Sequence, residues 1–214
     1  MPRHLPFLLL PLIGLTGPAL AHPHIFVDAE VGFDIEAAQL TSLRITWTYD
    51  EFTTLVLFET LNLDTDGDGV LNAEDLAKVA AGETEWPDGY NGDVYLEAGQ
   101  QVIAFGKPTN ASAEMPGDKV TVRFDLPLKE PLDLSAGSAV LRLYDPYYYY
   151  AYTVTGLTKP EPGEGSCQAT LVPFQADDAT AALQDQLAAL SREEMPEQEN
   201  VGRLFADEIV LTCD

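Results

Sequence analysis

The stretch IFVDAEVGF, residues 25–33, decides the fold class, because apolar side chains stand at alternate positions along it. In a β-strand this period of two places the apolar side chains on one face and the polar side chains on the other. The stretch LRITWTY, residues 43–49, repeats the pattern. The two stretches therefore predict a pair of half-buried strands.

Further strands are predicted wherever short apolar runs lie between turn residues. They span residues 93–97, 101–105, 119–126, 139–144, 150–155, 168–174 and 208–212, and a turn at Ala98-Gly99 joins the first two of them into a hairpin. About nine short strands with turn signals between them are typical of a β-sandwich or a barrel.

Two stretches with helical spacing interrupt the strands. Residues 51–61 carry Phe52, Leu55, Phe58 and Leu61, and residues 177–191 carry Leu183, Leu187 and Leu190 on one face. We therefore predict a mostly β fold of the α+β class, in which residues 22–214 form a single β-sandwich-like domain. The domain is expected to contain an inserted EF-hand-like helix-loop-helix at about residues 51–81 and a C-terminal helical segment.

Residues 1–21 have the features of a secretory signal peptide. Arg3 and His4 precede the apolar run 5–15, and Ala19-Leu20-Ala21 forms a cleavage site of small residues. No later stretch approaches the roughly 20 apolar residues that a membrane-spanning helix needs. We therefore expect a mature chain that starts at His22, lies in the periplasm and is not inserted in the membrane.

The chain of 214 residues is strongly acidic, with 35 Asp and Glu against 11 Lys and Arg and a formal net charge of −24. Long-range repulsion opposes binding to nucleic acid and to anionic lipid. Acidity suits a protein that meets metal cations, and it suits equally a soluble protein in a salty compartment. Nucleic acid is therefore not expected as a partner, while a role with metals stays open.

Cys167 and Cys213 are the two cysteines of the chain. In an exported protein two cysteines form a disulfide by default. Neither has a second thiol at the spacing of a zinc site or of a C-x-x-C redox pair. We therefore expect one disulfide that ties the last strand to an earlier one.

Residues 64–75, DTDGDGVLNAED, have the spacing of an EF-hand calcium loop. The candidate ligands are the side chains of Asp64, Asp66, Asp68, Asn72 and Asp75 and the carbonyl of Val70, with Gly69 at the sharp turn. Because Asp75 stands where a bidentate Glu is usual, we expect weaker Ca²⁺ affinity or better tolerance of Mg²⁺. The alternatives are an acidic turn that binds nothing and a calcium ion that stabilises the fold rather than carrying a signal.

Cleavage after Ala21 would place His22-Pro23-His24 at the N-terminus of the mature chain. Strand periodicity predicts one shared face for residues 22, 24, 26 and 28, with the two histidine Cα atoms about 7 Å apart. The two imidazoles and the α-amine of His22 make a nitrogen set suited to copper, nickel, cobalt or zinc. The alternatives are a frayed terminus with solvated histidines and a His24 that packs on the sheet for structural reasons.

The block YDPYYYYAY, residues 144–152, is rich in tyrosine. Alternate tyrosines could line a cleft, and Asp145 lies at a turn where its carboxylate could face the N-terminal histidines. Asp50 and Glu51, at the junction of a strand and a helix, are the other acidic candidates. The alternative is a strand with tyrosine rings on both faces and no role in binding.

Four segments together resemble an uncharacterised periplasmic family. They are AHPHIFVD at 21–28, TWTYDEF at 46–52, the loop at 64–75 and YDP at 144–146, and the resemblance covers nearly the whole mature chain. Members of that family are described as periplasmic components of an ABC-type transport system and are associated with genes for nickel/cobalt permeases. The resemblance implies a membrane metal permease as a partner, and it implies His22, His24, Asp50 and Asp145 as candidate metal-binding residues.

The common hydrolase motifs are missing from the mature sequence. It has no histidine beyond positions 22 and 24, no G-x-S-x-G and no H-E-x-x-H, so we expect no enzyme and assign no catalytic residues. The first hypothesis is a periplasmic metal-binding accessory protein for nickel, cobalt or zinc transport or homeostasis. The second is a copper protein with an N-terminal histidine brace, and the third is a calcium-stabilised interaction module.

Overall fold

The structure is a computed structural model that describes residues 22–158, 167–191 and 194–213. The predicted signal peptide, residues 1–21, lies outside these ranges. The strands are β1 (Ile25–Glu36), β2 (Gln39–Tyr49), β3 (Val94–Ala98), β4 (Gln101–Ile103), β5 (Thr109–Glu114), β6 (Thr121–Asp133), β7 (Ala139–Leu143), β8 (Tyr150–Thr158), β9 (Gln168–Val172) and β10 (Glu208–Thr212). The helices are α1 (Glu51–Thr60), α2 (Ala73–Thr84), α3 (Asp178–Ala188) and a 3-10 helix (Val201–Phe205).

Within the described residues the strands form two five-stranded sheets. The first has the order β5-β6-β2-β1-β8, and the second has the order β4-β3-β7-β10-β9. β1 pairs antiparallel with β2, where Val31 lies opposite Ile45, and it pairs parallel with β8 on its other side. The predicted mostly β fold of the α+β class is confirmed.

The alternating apolar residues of β1 and β2 face the core, as their period of two predicts. They are Val27, Ala29, Val31, Phe33, Leu43, Ile45, Trp47 and Tyr49, and all are buried. The same hydrophobic cluster contains Leu96, Leu141 and Ile209 from the second sheet. The two sheets therefore share one core, as in a β-sandwich.

β5 is a strand that the sequence does not predict. Its residues, TNASAE, have no apolar alternation, and almost all of them are exposed. Backbone pairing with β6 holds it at the edge of the first sheet, for example where Ala113 lies opposite Val122. An edge strand of this kind leaves no hydrophobic signal, because its side chains do not contribute to the core.

Each α-helix begins at a residue whose side chain caps the first turn. Asp50 caps α1 by accepting a hydrogen bond from the Thr53 amide, and Asn72 and Asp75 form a capping box at the start of α2. α1, the loop after it and α2 therefore make the predicted helix-loop-helix, and α3 is the predicted C-terminal helix. No helix in the described part of the chain is long and apolar enough to cross a membrane.

The orientation of α1 differs from what its apolar spacing indicates. Thr53 and Thr54 are buried, whereas Phe52 and Leu55 are exposed. The hydroxyl of Thr54 accepts a buried hydrogen bond from the Val120 amide at 3.0 Å, so the first half of the helix turns a polar side toward the sheet. The helix itself is predicted from the sequence, but the burial of Phe52 and Leu55 is not found.

The predicted disulfide joins Cys167 and Cys213, and it is confirmed. The two Cα atoms are 3.9 Å apart. Cys167 directly precedes β9 and Cys213 directly follows β10, and these strands are antiparallel neighbours. The bridge therefore ties the last strand to an earlier one, as expected.

Candidate functional site

His22 and His24 lie together just before the first strand. The centroids of their rings are 4.9 Å apart, with the ring planes inclined at 72°. β1 begins at Ile25, so the histidines precede the strand and do not alternate along it. His22 is 6% exposed whereas Phe26 is 54% exposed, so the shared face predicted from strand periodicity is not formed.

The surroundings of His22 fix the chemistry of its ring. Nε2 lies 3.0 Å from the backbone carbonyl oxygen of Glu194. Because a carbonyl oxygen only accepts hydrogen bonds, Nε2 must carry a proton, and in the neutral ring the lone pair is then on Nδ1. Nδ1 is buried and has no hydrogen-bond partner among residues 22–158, 167–191 and 194–213. This is the arrangement of a metal-ligating histidine, whose second ring nitrogen donates to a carbonyl.

Tyr149 stands beside both histidines. Its ring centroid lies 4.7 Å from that of His24 and 6.1 Å from that of His22. Its carbonyl accepts hydrogen bonds from the amides of His24, at 2.9 Å, and Ile25, at 3.2 Å. The tyrosine block therefore packs against the histidines through a side chain and through its backbone.

Asp145 shapes the turn that carries Tyr149. Its carboxylate accepts hydrogen bonds from the amides of Tyr147, Tyr149 and Tyr150 at 3.2, 2.7 and 3.3 Å. Because the Tyr149 carbonyl in turn binds the His24 amide, Asp145 is linked to the histidines through one residue of backbone. The contacts of Asp145 therefore hold Tyr149 in position beside the histidines.

Asp50 has a comparable role on the other side of β1. One carboxylate oxygen accepts from the Thr53 amide at 2.9 Å, and the other accepts from the Thr53 hydroxyl at 2.7 Å and the Phe26 amide at 3.1 Å. Partial burial raises the pKa of Asp50, but these hydrogen bonds outweigh it and hold the pKa below its usual value. Asp50 is therefore a charged carboxylate that caps α1 and fixes Phe26.

The structure brings the two histidines together but does not gather all four predicted transition-metal residues. Within the described ranges, one group of three or more His, Cys, Asp or Glu side chains has its ligand atoms within 4.8 Å of one another. That group is Asp64, Asp66 and Asp68. Metal binding by His22, His24, Asp50 and Asp145 stays a prediction, and Asp50 and Asp145 have other contacts in the structure.

The loop between α1 and α2 bends sharply at Gly69. Gly69 has a φ of +78°, which a glycine adopts without strain, and its amide donates to the Asp64 carboxylate at 3.0 Å. The Asp68 amide donates to the same carboxylate at 3.0 Å. Three carboxylates that converge on such a bend fit the oxygen-rich coordination of Ca²⁺.

The side chains at the end of the loop form hydrogen bonds at the start of α2. The Asn72 side chain accepts from the Asp75 amide at 3.1 Å, and the Asp75 carboxylate accepts from the Asn72 amide at 3.4 Å. Asp75 is buried and also lies 3.6 Å from the Lys78 ammonium. Ligation by Asn72, Asp75 and the Val70 carbonyl stays a prediction.

Asp93 is a buried carboxyl beside the tyrosine block, and the sequence does not single it out. Tyr152 donates a hydrogen bond to it at 3.0 Å. Burial, and then the negative charge of Asp145, raises the pKa of Asp93 to about 7. With Asp145 and Tyr149 it lines a cleft of about 480 Å³. Tyr152 lies on β8, 59 positions away in sequence, so no local pattern could reveal this contact.

The chain belongs to the family described as "Protein of unknown function (DUF1007)", whose model matches residues 7–213. It is also similar to an uncharacterized protein of Haemophilus influenzae (strain ATCC 51907 / DSM 11121 / KW20 / Rd). The two are 26% identical over 198 residues, which cover 91% of this chain and 92% of that protein. Membership of an uncharacterised family is thereby confirmed, while the association with nickel/cobalt permeases stays a prediction.

Proposed function

We propose that this chain is a periplasmic accessory protein that binds a divalent transition metal at His22 and His24. It would act with a membrane permease in nickel, cobalt or zinc transport or homeostasis. The observation that carries the proposal is the His22 ring, whose Nδ1 is buried without a partner in the described residues while Nε2 is held by the Glu194 carbonyl. A neutral imidazole oriented in this way is a ready ligand.

Cleavage after Ala21 would add the α-amine of His22 to this site. An amine and the Nδ1 of the same residue chelate one ion, and the His24 ring, 4.9 Å away between centroids, would supply the third nitrogen. Three nitrogen ligands suit zinc, nickel, cobalt and copper better than calcium or magnesium. Asp145 supports the site from outside through Tyr149, whereas Asp50 accepts a hydrogen bond from the amide of Phe26, two residues after His24.

A calcium ion at residues 64–75 belongs to the same proposal, with a structural role. The convergence of Asp64, Asp66 and Asp68 supports Ca²⁺ binding, and Mg²⁺ is the second candidate because Asp75 is shorter than the usual Glu. The chain would therefore hold two ions of different chemistry, with no reaction catalysed at either one.

A copper protein with an N-terminal histidine brace is the second candidate function. It is favoured by the availability of Nδ1 on His22, the atom that chelates with the α-amine. Copper binds any nitrogen site more tightly than nickel, cobalt or zinc, so affinity alone cannot decide between the two functions. The bound metal must therefore be measured on protein that was loaded in its native compartment.

The deciding experiment is metal analysis of the protein purified from its native periplasm, together with sequencing of its N-terminus. A chain that starts at His22 and carries zinc, nickel or cobalt in a one-to-one ratio supports the accessory role. Copper in the same ratio supports the second candidate. A chain that starts elsewhere and carries only calcium rules out both.

A further inference from the structure

α1 exposes apolar side chains that a surface helix normally buries. Phe52 is 67% exposed, Leu55 is 65% exposed and Val56 is 39% exposed. Positions separated by three or four residues lie on one face of a helix, so these side chains form one stripe. Because Thr53 and Thr54 are buried on the side that faces the sheet, the apolar stripe faces solvent.

Phe26 continues this stripe onto the first sheet. Its amide donates to the Asp50 carboxylate at 3.1 Å, and its carbonyl accepts from the Asp50 amide at 3.2 Å. These two bonds place Phe26 beside the first turn of α1, and its side chain is 54% exposed. We call the surface formed by Phe26, Phe52, Leu55 and Val56 the α1 face. Contiguous exposed apolar side chains, unlike scattered ones, mark interaction sites.

The charges around the α1 face select its occupant. Asp28, Glu51 and Glu59 are exposed at its rim, and the whole chain has a net charge of −24. A second copy would bring the same acidic rim against itself, and an anionic membrane would be repelled as well. A surface with an apolar centre and a basic rim is complementary to the face.

We propose that the α1 face docks an amphipathic helix of another protein, with an apolar stripe flanked by Lys or Arg. Two helices pack by interlocking rows of side chains spaced three and four residues apart, and α1 presents such a row. Phe26 is two residues from His24, so the docked protein would lie next to the proposed metal site. The docking itself needs neither a metal ion nor the histidines.

Calorimetric titration with a designed peptide tests this docking. The probe is an amphipathic helical peptide of Leu and Lys of about 18 residues, or five turns. The parent protein is expected to bind it, and Phe52→Ser with Leu55→Ser should weaken binding at least about tenfold, since central apolar contacts dominate such interfaces. Both positions are exposed, so the variant keeps its core, and an unchanged melting temperature verifies this.

A matched pair of substitutions separates docking from general attraction to an acidic protein. Val102 and Val172 are exposed on β4 and β9 of the second sheet, and Val102→Ser with Val172→Ser should leave the peptide affinity unchanged. A peptide with Glu in place of Lys should not bind. Glu59→Lys should weaken binding of the Lys peptide without altering the apolar stripe.

Three results would overturn the proposal. They are no binding of the Lys peptide, equal affinity of the parent and the Phe52/Leu55 variant, and a parent dimer in light scattering that this variant abolishes. The last result would assign the face to a second copy of the chain. His24→Ala is expected to bind the peptide like the parent, so the docking proposal and the metal proposal fail independently.

Discussion

The His22 side chain donates from Nε2 to the backbone carbonyl of Glu194, which is 3.0 Å away in space and 172 positions away in sequence. The C-terminal segment therefore orients the first histidine of the expected mature chain. That segment is held by a small hydrophobic cluster that contains Leu187, Val201 and Phe205. Phe205 also stacks on Tyr148, with ring centroids 4.4 Å apart, so the same segment packs against the tyrosine block.

Calcium should raise the melting temperature of the protein. An ion that binds only the folded state stabilises it by mass action, by about 2.7 kcal/mol when its concentration is a hundred times the dissociation constant. Asp64→Ala with Asp68→Ala should abolish the shift, because it removes two of the three converging carboxylates. Differential scanning calorimetry with calcium and with a chelator measures the effect.

The control for the calcium experiment removes two exposed carboxylates elsewhere. Asp88 and Glu130 are exposed and lie outside the loop, so Asp88→Ala with Glu130→Ala changes the net charge equally. This control should keep the full calcium shift. If the Asp64/Asp68 variant still melts at a calcium-dependent temperature, the EF-hand assignment is wrong.

The disulfide should contribute substantially to stability. Loss of a native disulfide costs roughly 2–5 kcal/mol, and this bridge joins residues 46 positions apart. Urea unfolding of the parent and of Cys167→Ser with Cys213→Ser measures the difference in the free energy of unfolding. Mass spectrometry of the exported protein should find no free thiol, and two free thiols would contradict the assignment.

Thr54→Val should destabilise the protein although the two side chains have nearly the same shape. The Thr54 hydroxyl accepts a buried hydrogen bond from the Val120 amide, and valine leaves that amide without this acceptor. An unsatisfied buried donor costs about 1–3 kcal/mol, measured as the change in the free energy of urea unfolding. Thr60→Val, at an exposed position of the same helix, is the control and should be nearly neutral. Equal effects of the two changes would refute the role of Thr54.

Asp93 should make stability fall as pH rises. Its pKa is about 7 in the folded protein against an ordinary value of 3.8, so the folded state holds the proton more tightly than the unfolded state does. The stability that the bound proton contributes is therefore complete below the ordinary pKa. It declines as pH rises from that value to about 7, by about 1.4 kcal/mol for each unit of pKa difference, and does not change further above about 7. Asp93→Asn keeps an acceptor for Tyr152 and removes the titration.

The measurement for Asp93 is urea unfolding of the parent and Asp93→Asn across this pH range, with a chelator present. The stability of the variant relative to the parent should increase with pH. Asp88→Asn, at an exposed position, should show no comparable trend. A constant difference between Asp93→Asn and the parent would show that the carboxyl titrates normally.

The strands of the core are the part of the fold that the sequence predicts best. In β1 from Val27 to Phe33 and in β2 from Leu43 to Tyr49, the alternating apolar residues face the same core, so a period of two is sufficient. In contrast, β5 is held by backbone pairing, which leaves no pattern in its side chains. α1 has the spacing of a helix, but the hydrogen bond from Val120 to Thr54 decides which side faces the sheet.

In the candidate site, too, the sequence predicts local features but not long-range contacts. The loop at residues 64–75 is local, so the spacing of Asp64, Asp66 and Asp68 in the sequence predicts their convergence. The histidine site depends on partners from far along the chain. The Glu194 carbonyl is a backbone atom with no sequence signature, and the Tyr152 hydroxyl that binds Asp93 is 59 positions away in sequence. The sequence therefore identifies the histidines but not the groups that orient them.

The central claim is that an α-amine and two imidazoles bind one transition-metal ion. Each nitrogen must lose its proton to coordinate, so affinity should fall in acid. The Asp64/Asp68 variant should retain this site, because its substitutions lie in the calcium loop.

The most direct test is calorimetric titration of Zn²⁺, Ni²⁺, Co²⁺ and Cu²⁺ into three proteins. They are the chain that starts at His22, the same chain extended by one residue before His22, and the His24→Ala variant. We expect tight binding to the first and severe weakening in the other two, because the extension removes the amine chelate and the substitution removes an imidazole. Equal affinities for all three proteins would contradict the N-terminal metal site.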